Sequence, residues 1–444
     1  LLALYIFFRV KYSPHHQNIR SYPPHPLSTT APAMKHFRFF ILLLALTLAA
    51  CAQKEPPTPT PLPTLDPAIR QGRALEALWT AVNDQFIYDD FGGADWNALQ
   101  AEYKTRLAGG LSNTEFEESL NSLVSNLPAG SAVYQTRSER IQAELENTAL
   151  YSGIGAYISV RAEPEPHIVI LSIIKDSPAA EAGLAAHDSI YSVDGGAVTA
   201  EEGLNVVQRV RGDAGTTVAL EVESPGGPRR TVNVTRAKLT AADTLKGGLL
   251  TQSGILYLLV PVAPDDAMLE AMAQGLTAVS GQTQLTAVII DLRIAHSGAG
   301  WPLTEMLTLY GDGQLGEFYT RDEEQPLAVN GVDVSGSQTL PLVVLVGPDT
   351  EGSPEIFAAA LQASNRAKIV GMPTAGKVFG FSDVPLPDGS LLTLATSSYK
   401  TSAGRDLARF GVQPDYPVNA DWDEVSPSSD PALEKAIEIL ALHD

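Results

Sequence analysis

A serine attacks a carbonyl only when a nearby base takes its proton, and this sequence offers few bases. Residues 51–444 contain four histidines, at positions 167, 187, 296 and 443. His167 falls in a β-rich run, His187 in a turn and His443 at the tail. A Ser-His-Asp arrangement therefore has one candidate base, His296, with Ser297 beside it as a candidate nucleophile. Ser353 is a second hydroxyl. Standing before Pro354 and an apolar run, it reads as a helix N-cap with proline at the first helical position, its hydroxyl aimed at its own helix amides. Lys377, in Thr374-Ala375-Gly376-Lys377, reads as a solvated loop lysine unless burial disfavours its charged form. No paired His or Cys spacing fits a metal site, no glycine-rich phosphate loop stands between a strand and a helix, and no cofactor is implied.

These side chains must be held by the elements around them. Over residues 68–148, Leu75, Leu78, Trp79, Val82 and Phe86 recur at three- and four-residue spacing. Trp96, Leu99, Tyr103 and Leu107 do the same, as do Phe116, Leu120 and Leu123, which predicts a helical N-terminal segment. From 149 to 238 the pattern shortens to β-rich runs, His167–Ile174, Ser189–Val193, Thr217–Val222 and Thr231–Val234, with helical stretches around Pro178–Ala182 and Glu201–Val210. From 239 to 444 buried apolar strands alternate with helices: strands over Gly254–Val262, Thr286–Leu292, Leu340–Val346 and Lys368–Val370, helices over Asp265–Val279 and 354–364. That alternation predicts a mostly parallel sheet and an α/β core. The fold class expected is therefore multidomain α/β with a β-rich middle domain.

The middle region resembles a PDZ domain over its whole length. Gly153-Ile154-Gly155-Ala156 is similar to a carboxylate-binding loop, whose glycines let backbone N–H groups face a peptide carboxylate. Asp176-Ser177-Pro178 starts a short helix, and Asp194-Gly195 makes a tight hairpin turn. The resemblance implies capture of apolar C-termini by strand addition.

The last region resembles the core of the carboxyl-terminal processing (tail-specific) serine peptidases, from Gly254 to about Val418. The matching stretches are Asp291-Leu292-Arg293 followed by Gly298 and Gly300, then Glu355-Ile356-Phe357-Ala358-Ala359-Ala360-Leu361-Gln362. Arg366-Ala367, Val370-Gly371, Asp388-Gly389-Ser390, the run Tyr399–Arg405, and Gly411-Val412-Gln413-Pro414-Asp415 follow. The resemblance implies a core of the ClpP/crotonase-like type, a Ser/Lys dyad and substrates recognised by their C-termini. Lys377 stands where that family places its general base, and the turns at Gly298 and Gly300 could supply an oxyanion donor. The family's nucleophile lies three residues before the Glu of the Glu-Ile-Phe helix and twenty-five before the Lys. Both counts fall on Gly352, which has no side chain. Ser353 would have to shift by one residue to serve. The family often has Gln four residues after the Lys, and here that position is Phe381. Three functions therefore stay open: a serine-type peptidase using Ser353 or Ser297 with Lys377, a non-catalytic homologue that binds C-termini as an adaptor or scaffold, and a purely structural envelope lipoprotein with both domains as scaffolds.

The ends and the charge bound the setting. The first Met is Met34, and Met34 to Cys51 reads as a basic n-region, an apolar run and small residues before a cysteine, which resembles a lipoprotein signal peptide over 34–50 with Cys51 as the lipidation site. Residues 1–33 read as an upstream extension outside the folded protein. Residues 51–67 form a Pro/Thr spacer that cannot pack a core. The first 50 residues hold five of the 30 basic residues and none of the 51 acidic ones. The remainder is strongly acidic, which argues against nucleic acid as a partner. The expected localisation is extracytoplasmic, anchored to a membrane through Cys51.

Overall fold

The computed structural model describes residues 66–141, 152–239, 243–250, 254–280, 284–297, 301–426 and 428–442. Cys51, Gly298, Gly300, His443, the signal peptide expected over 34–50 and the extension expected over 1–33 lie outside these described residues.

Three helices come first: α1 (Pro67–Gln85), α2 (Trp96–Leu107) and α3 (Asn113–Val124). Asp95 caps α2, and Ser112 and Glu115 cap α3 reciprocally, so the orphan N–H groups of each first turn are met by side chains. Leu75, Leu78 and Val82 of α1 pack with Trp96, Phe116 and Leu120. Helix α3 ends at Val124, β1 (Ala132–Gln135) interrupts the helical segment expected through 148, and residues 137–141 are helical again. It pairs antiparallel with residues 391–394 near the other end of the chain. The same core takes in Leu386, Leu392 and Leu394, so the helices are built onto the C-terminal region.

The middle region has the sheet expected of it. Its elements are β2 (Ala156–Arg161), β3 (His167–Ile173), α4 (Pro178–Glu181), β4 (Ser189–Val193), α5 (Val207–Val210), β5 (Thr217–Glu223) and β6 (Arg230–Thr235). The strand order is β2-β3-β4-β5-β6, with Gly196–Ala197 also on β4. Val218, Leu220 and Val222 alternate inward along β5 to meet Ile168, Ile170 and Ile190. Strand β2 is an edge strand of this sheet.

The core begins with β7 (Lys246–Leu250), β8 (Ile255–Leu259), α6 (Met268–Ser280), β9 (Ala287–Asp291) and α7 (Leu303–Tyr310). It continues with β10 (Gly313–Tyr319), β11 (Glu324–Val329), β12 (Leu342–Val346), α8 (Ser353–Ala363) and β13 (Lys368–Gly371). Then come β14 (Gly380–Pro385), β15 (Leu391–Thr401), α9 (Leu407–Phe410), β16 (Tyr416–Pro417) and α10 (Pro431–Ala441). The central sheet has the order β7-β8-β9-β12-β13-β16, parallel throughout except for β7. Every residue of β9 and β12 is buried because α6, α7 and α8 cover one face and α10 the other. A second sheet, β1-β15-β10-β11 with β14 also on β15, joins the helical segment to the core. Trp422 seats the middle domain on the core: it packs with Val169, Leu171, Val262 and Ile294, and its indole N–H donates to the Leu171 carbonyl at 3.0 Å. Among the described residues no helix is long and apolar enough to cross a membrane.

Candidate active site and peptide-binding loop

The central parallel sheet continues past its strands. Beyond Asp291 and Val346 the two chains run on side by side: the Glu351 N–H donates to the Ala295 carbonyl at 3.0 Å, and the Ser297 N–H to the Glu351 carbonyl at 3.0 Å. His296 and Glu351 form a parallel bridge there. This ladder brings Ser297 to Gly352 across 55 residues of sequence. Gly352 sits at the start of α8 with φ 74° and ψ −123°, a conformation that residues bearing a side chain rarely adopt. A Cβ built on it would lie 1.9 Å from Ser297 Oγ and 3.6 Å from the Lys377 carbonyl oxygen. The structure therefore brings together positions 297, 352 and 377.

Glu355 holds this arrangement. Its carboxylate is fully buried and accepts from the Gly352 N–H at 3.1 Å, the Gly376 N–H at 2.7 Å and the Thr374 hydroxyl. Burial raises its pKa above the ordinary carboxylate value, against the pull of those donors. One side chain thus fixes the turn at 352 to the loop carrying Lys377. The sequence showed Glu355 only as part of a motif. Its signal was a glutamate three residues after a residue that needs a partner for its N–H.

Ser353 is placed differently from its expected role. Gly352 is the N-cap, Ser353 the first helical residue and Pro354 the second. The reason is the Glu355 carboxylate, which reaches back to the Gly352 N–H and so moves the cap one residue earlier. Lys377 is 58% exposed, and its ammonium is ion-paired with Glu351. As it stands, its environment is that of a solvated, charged lysine. His296 is half-buried, and its Nε2 has no hydrogen-bond partner among the described residues. Gly298 and Gly300 lie outside the described residues.

In the middle domain, Gly153 is fixed by a two-residue ladder to Ala237, Ile154 is buried, and Gly155 has φ 84°. The Ile154 carbonyl accepts from Ala179 N–H at 2.8 Å and the Gly155 carbonyl from Ile174 N–H at 2.9 Å. Both carbonyls are thus engaged, directly before the edge strand β2, whose first residue is Ala156. The far end of β2 is tied to the core. Arg161 donates to Asp349 at 2.5 Å and to Asp421 at 2.5 Å, and the Ser159 hydroxyl donates to Asp349 at 2.5 Å. Asp349 lies three residues before Gly352, so this ion pair links β2 to the turn that precedes α8. No sequence pattern pointed to Arg161. Alongside, His167 Nδ1 lies 2.6 Å from the Glu165 carbonyl and Nε2 lies 2.8 Å from an Asp423 carboxylate oxygen. Both partners are acceptors, which favours the doubly protonated ring, and the bonds to Asp423 and Glu165 hold its pKa above the ordinary histidine value against the pull of burial.

Comparison with known proteins agrees with this architecture. Residues 255–418 match peptidase family S41, residues 148–235 a PDZ domain, and residues 73–125 the Tricorn protease C1 domain. The chloroplastic C-terminal processing peptidase of Tetradesmus obliquus is 28% identical over 77% of this chain and 75% of its own. The carboxyl-terminal-processing protease of a Synechocystis species is 25% identical over 82% and 85%. A solved photosystem II D1 C-terminal processing protease is 26% identical with a TM-score of 0.59, covering 84% of this chain and 97% of that one. Mature CPAF, at 14% identity and a TM-score of 0.53, shares the fold. The chain is thus similar to carboxyl-terminal processing peptidases that carry a PDZ domain, and its core shares the fold of the peptidase family S41 structures.

Proposed function

We propose that the protein captures the C-termini of other proteins at the PDZ loop Gly153–Ala156 and leads the bound chain along β2 onto the peptidase-type core. The observation that carries this reading is the edge position of β2 beside a loop whose carbonyls are already engaged. Main-chain pairing to such an edge supplies affinity, and a buried carboxylate loop supplies selectivity for a free chain end. The family dyad cannot operate in its usual form, because position 352 has no side chain and Lys377 is held as a charged pair with Glu351.

The test is binding of a peptide with apolar final residues, compared with the same peptide amidated at its C-terminus. We expect at least a tenfold weaker Kd for the amide. Equal affinities would remove the reading. We further propose that the protein is an extracytoplasmic lipoprotein held at a membrane through Cys51. Fatty-acid labelling that is lost in Cys51→Ser would support the anchor, and labelling that persists would remove it.

A second reading, hydrolysis by a hydroxyl other than that of the family position, is favoured by one observation: the Ser297 hydroxyl lies beside the place where a side chain at 352 would begin.

A further inference from the structure

We propose that Ser297 is the nucleophile of this protein, supplied from the neighbouring strand extension in place of the missing side chain at 352. The inference rests on the capture reading, because a chain must be laid across the core for the hydroxyl to act on it. Three observations on this page carry it. The Ser297 oxygen lies 1.9 Å from the ideal Cβ position of residue 352, so the hydroxyl fills the space that a side chain at 352 would enter. The Ser297 backbone is fixed there by the ladder to Glu351. Its hydroxyl has no hydrogen-bond partner among the described residues, and the side chain is exposed, so it is neither consumed by structure nor shut away.

Lys377 is the base available at this point. Its carbonyl oxygen lies 3.6 Å from the same Cβ position, and its ammonium is held by Glu351, the ladder partner of Ser297 and the residue before Gly352. More than half of Lys377 is exposed, so a substrate chain lying over it removes water and disfavours its charge. The ammonium then releases a proton to solvent. The neutral amine takes the Ser297 hydroxyl proton as Oγ bonds to the scissile carbonyl carbon. The tetrahedral intermediate collapses, the C–N bond breaks, and Lys377 returns the proton to the leaving amine. Water, deprotonated by Lys377 in the same way, attacks the ester, releases the carboxylic acid and restores Ser297.

The same geometry makes Gly352→Ser a discriminating change. A serine there collides with Ser297 and is forced into an unfavourable positive φ, so it displaces the working hydroxyl. If instead the site were an ordinary dyad lacking only its serine, Gly352→Ser would create activity.

The experiment uses the full chain and two readouts: cleavage of an unfolded protein with an apolar C-terminus, and the residue modified by a fluorophosphonate, located by mass spectrometry. We expect cleavage in the parent, an adduct on Ser297, at least a hundredfold loss in Ser297→Ala and Lys377→Ala, a fall in Gly352→Ser, and a change within twofold in Ser353→Ala. An adduct on Ser353, a gain in Gly352→Ser, or no cleavage and no adduct in the parent would each overturn the assignment. Binding of the apolar C-terminal peptide, measured on the same proteins, separates the two readings. Retained binding with no adduct leaves capture standing and removes Ser297. Lost binding in the parent removes capture, and the adduct alone then decides Ser297.

Discussion

Two glycines in this molecule do the same geometric thing and have opposite consequences. Gly155 in the PDZ loop has φ 84°, and a Cβ there would lie 2.3 Å from Ser177 Cβ and 2.6 Å from its Oγ. Gly352 at the head of α8 has φ 74°, and a Cβ there would lie 1.9 Å from Ser297 Oγ and 2.9 Å from its Cβ. In each case a glycine backbone packs against a serine that fills the missing side chain's space. In the PDZ domain that serine is fully used. Its hydroxyl donates to the Gly155 carbonyl at 3.3 Å and accepts from the Ala180 N–H at 3.4 Å as the cap of α4. At the core site the serine hydroxyl meets no protein partner among the described residues. A close glycine–serine contact is therefore not by itself a sign of chemistry. What separates the two is whether the hydroxyl has been given structural work.

The core site keeps its frame although its family nucleophile is absent, and the largest effect should come from breaking that frame. Glu355→Ala removes the acceptor for the Gly352 and Gly376 N–H groups and for the Thr374 hydroxyl, leaving buried donors unmet. At about 1–3 kcal/mol for each unsatisfied group, partly relieved by relaxation, we expect about 3 kcal/mol of destabilisation of the core by denaturant unfolding. Because Glu355 carries a desolvation cost that raises its pKa, Glu355→Gln should recover part of this loss. A core unaffected by Glu355→Ala would mean that the turn at 352 is held by something else.

The legibility of the two regions differs for the same reason. The PDZ strands and the central strands could be read because each is a compact apolar run between turn residues: Ser189–Val193 falls on its expected span, and the strand expected over Leu340–Val346 is β12. The hairpins β10–β11 and β14–β15 were not read. Residues of β14 alternate between half-buried and exposed, and the two hairpins are joined by a pairing of β10 with β15 far along the chain. Helix α10 was legible and went unread: Asp430 caps it before Pro431, and Ala432, Ala436, Ile439 and Leu440 mark one face. At the site, the family resemblance pointed to position 352 and Lys377, and the structure brings the two backbones close together. The approach of Ser297 depends on the parallel register of two strands continued beyond their ends, which no local pattern encodes. The cap at Ser353 was misread because Ser-Pro is a strong local signal, and a buried carboxylate three residues past Gly352 overrode it.

An intermediate effect should appear where the PDZ domain meets the core. His167 faces the Glu165 carbonyl, the Asp423 carboxylate, the Tyr191 ring at 5.3 Å and the charge of Arg161. Burial alone pulls the imidazole pKa down, but the bonds to Asp423 and Glu165 outweigh it and hold it above its ordinary value. Burial likewise pushes Asp423 up, and the His167 bond brings it below its ordinary value. A raised histidine contributes stability that is complete below its unfolded value and is lost as pH rises through the folded one. A lowered aspartate contributes stability that is present above its unfolded value and is lost as pH falls through the folded one. The contact should therefore be strongest in mildly acidic solution and weaken as pH rises past about 6.5, the ordinary histidine value. The protection factors of β3 amides, corrected for the intrinsic pH dependence of exchange, should fall over that rise in the parent, and His167→Gln should remove the fall. A parent profile as flat as that of His167→Gln would mean that the pair does not hold the domains together.

The smallest effects sharpen the opening comparison most. Ser177→Ala removes an N-cap acceptor and a bond to the Gly155 carbonyl, which should cost about 1 kcal/mol in the PDZ domain. That loss would show as faster exchange of the Ala180 amide. Ser297→Ala removes an exposed hydroxyl with no partner, so core stability should change by less than about 0.5 kcal/mol. If both substitutions cost the same, the two serines are equivalent structural fillers and Ser297 has no claim to chemistry. If Ser177→Ala weakens its domain while Ser297→Ala leaves stability intact and removes acylation, the core has kept its frame and drawn its hydroxyl from the adjoining strand.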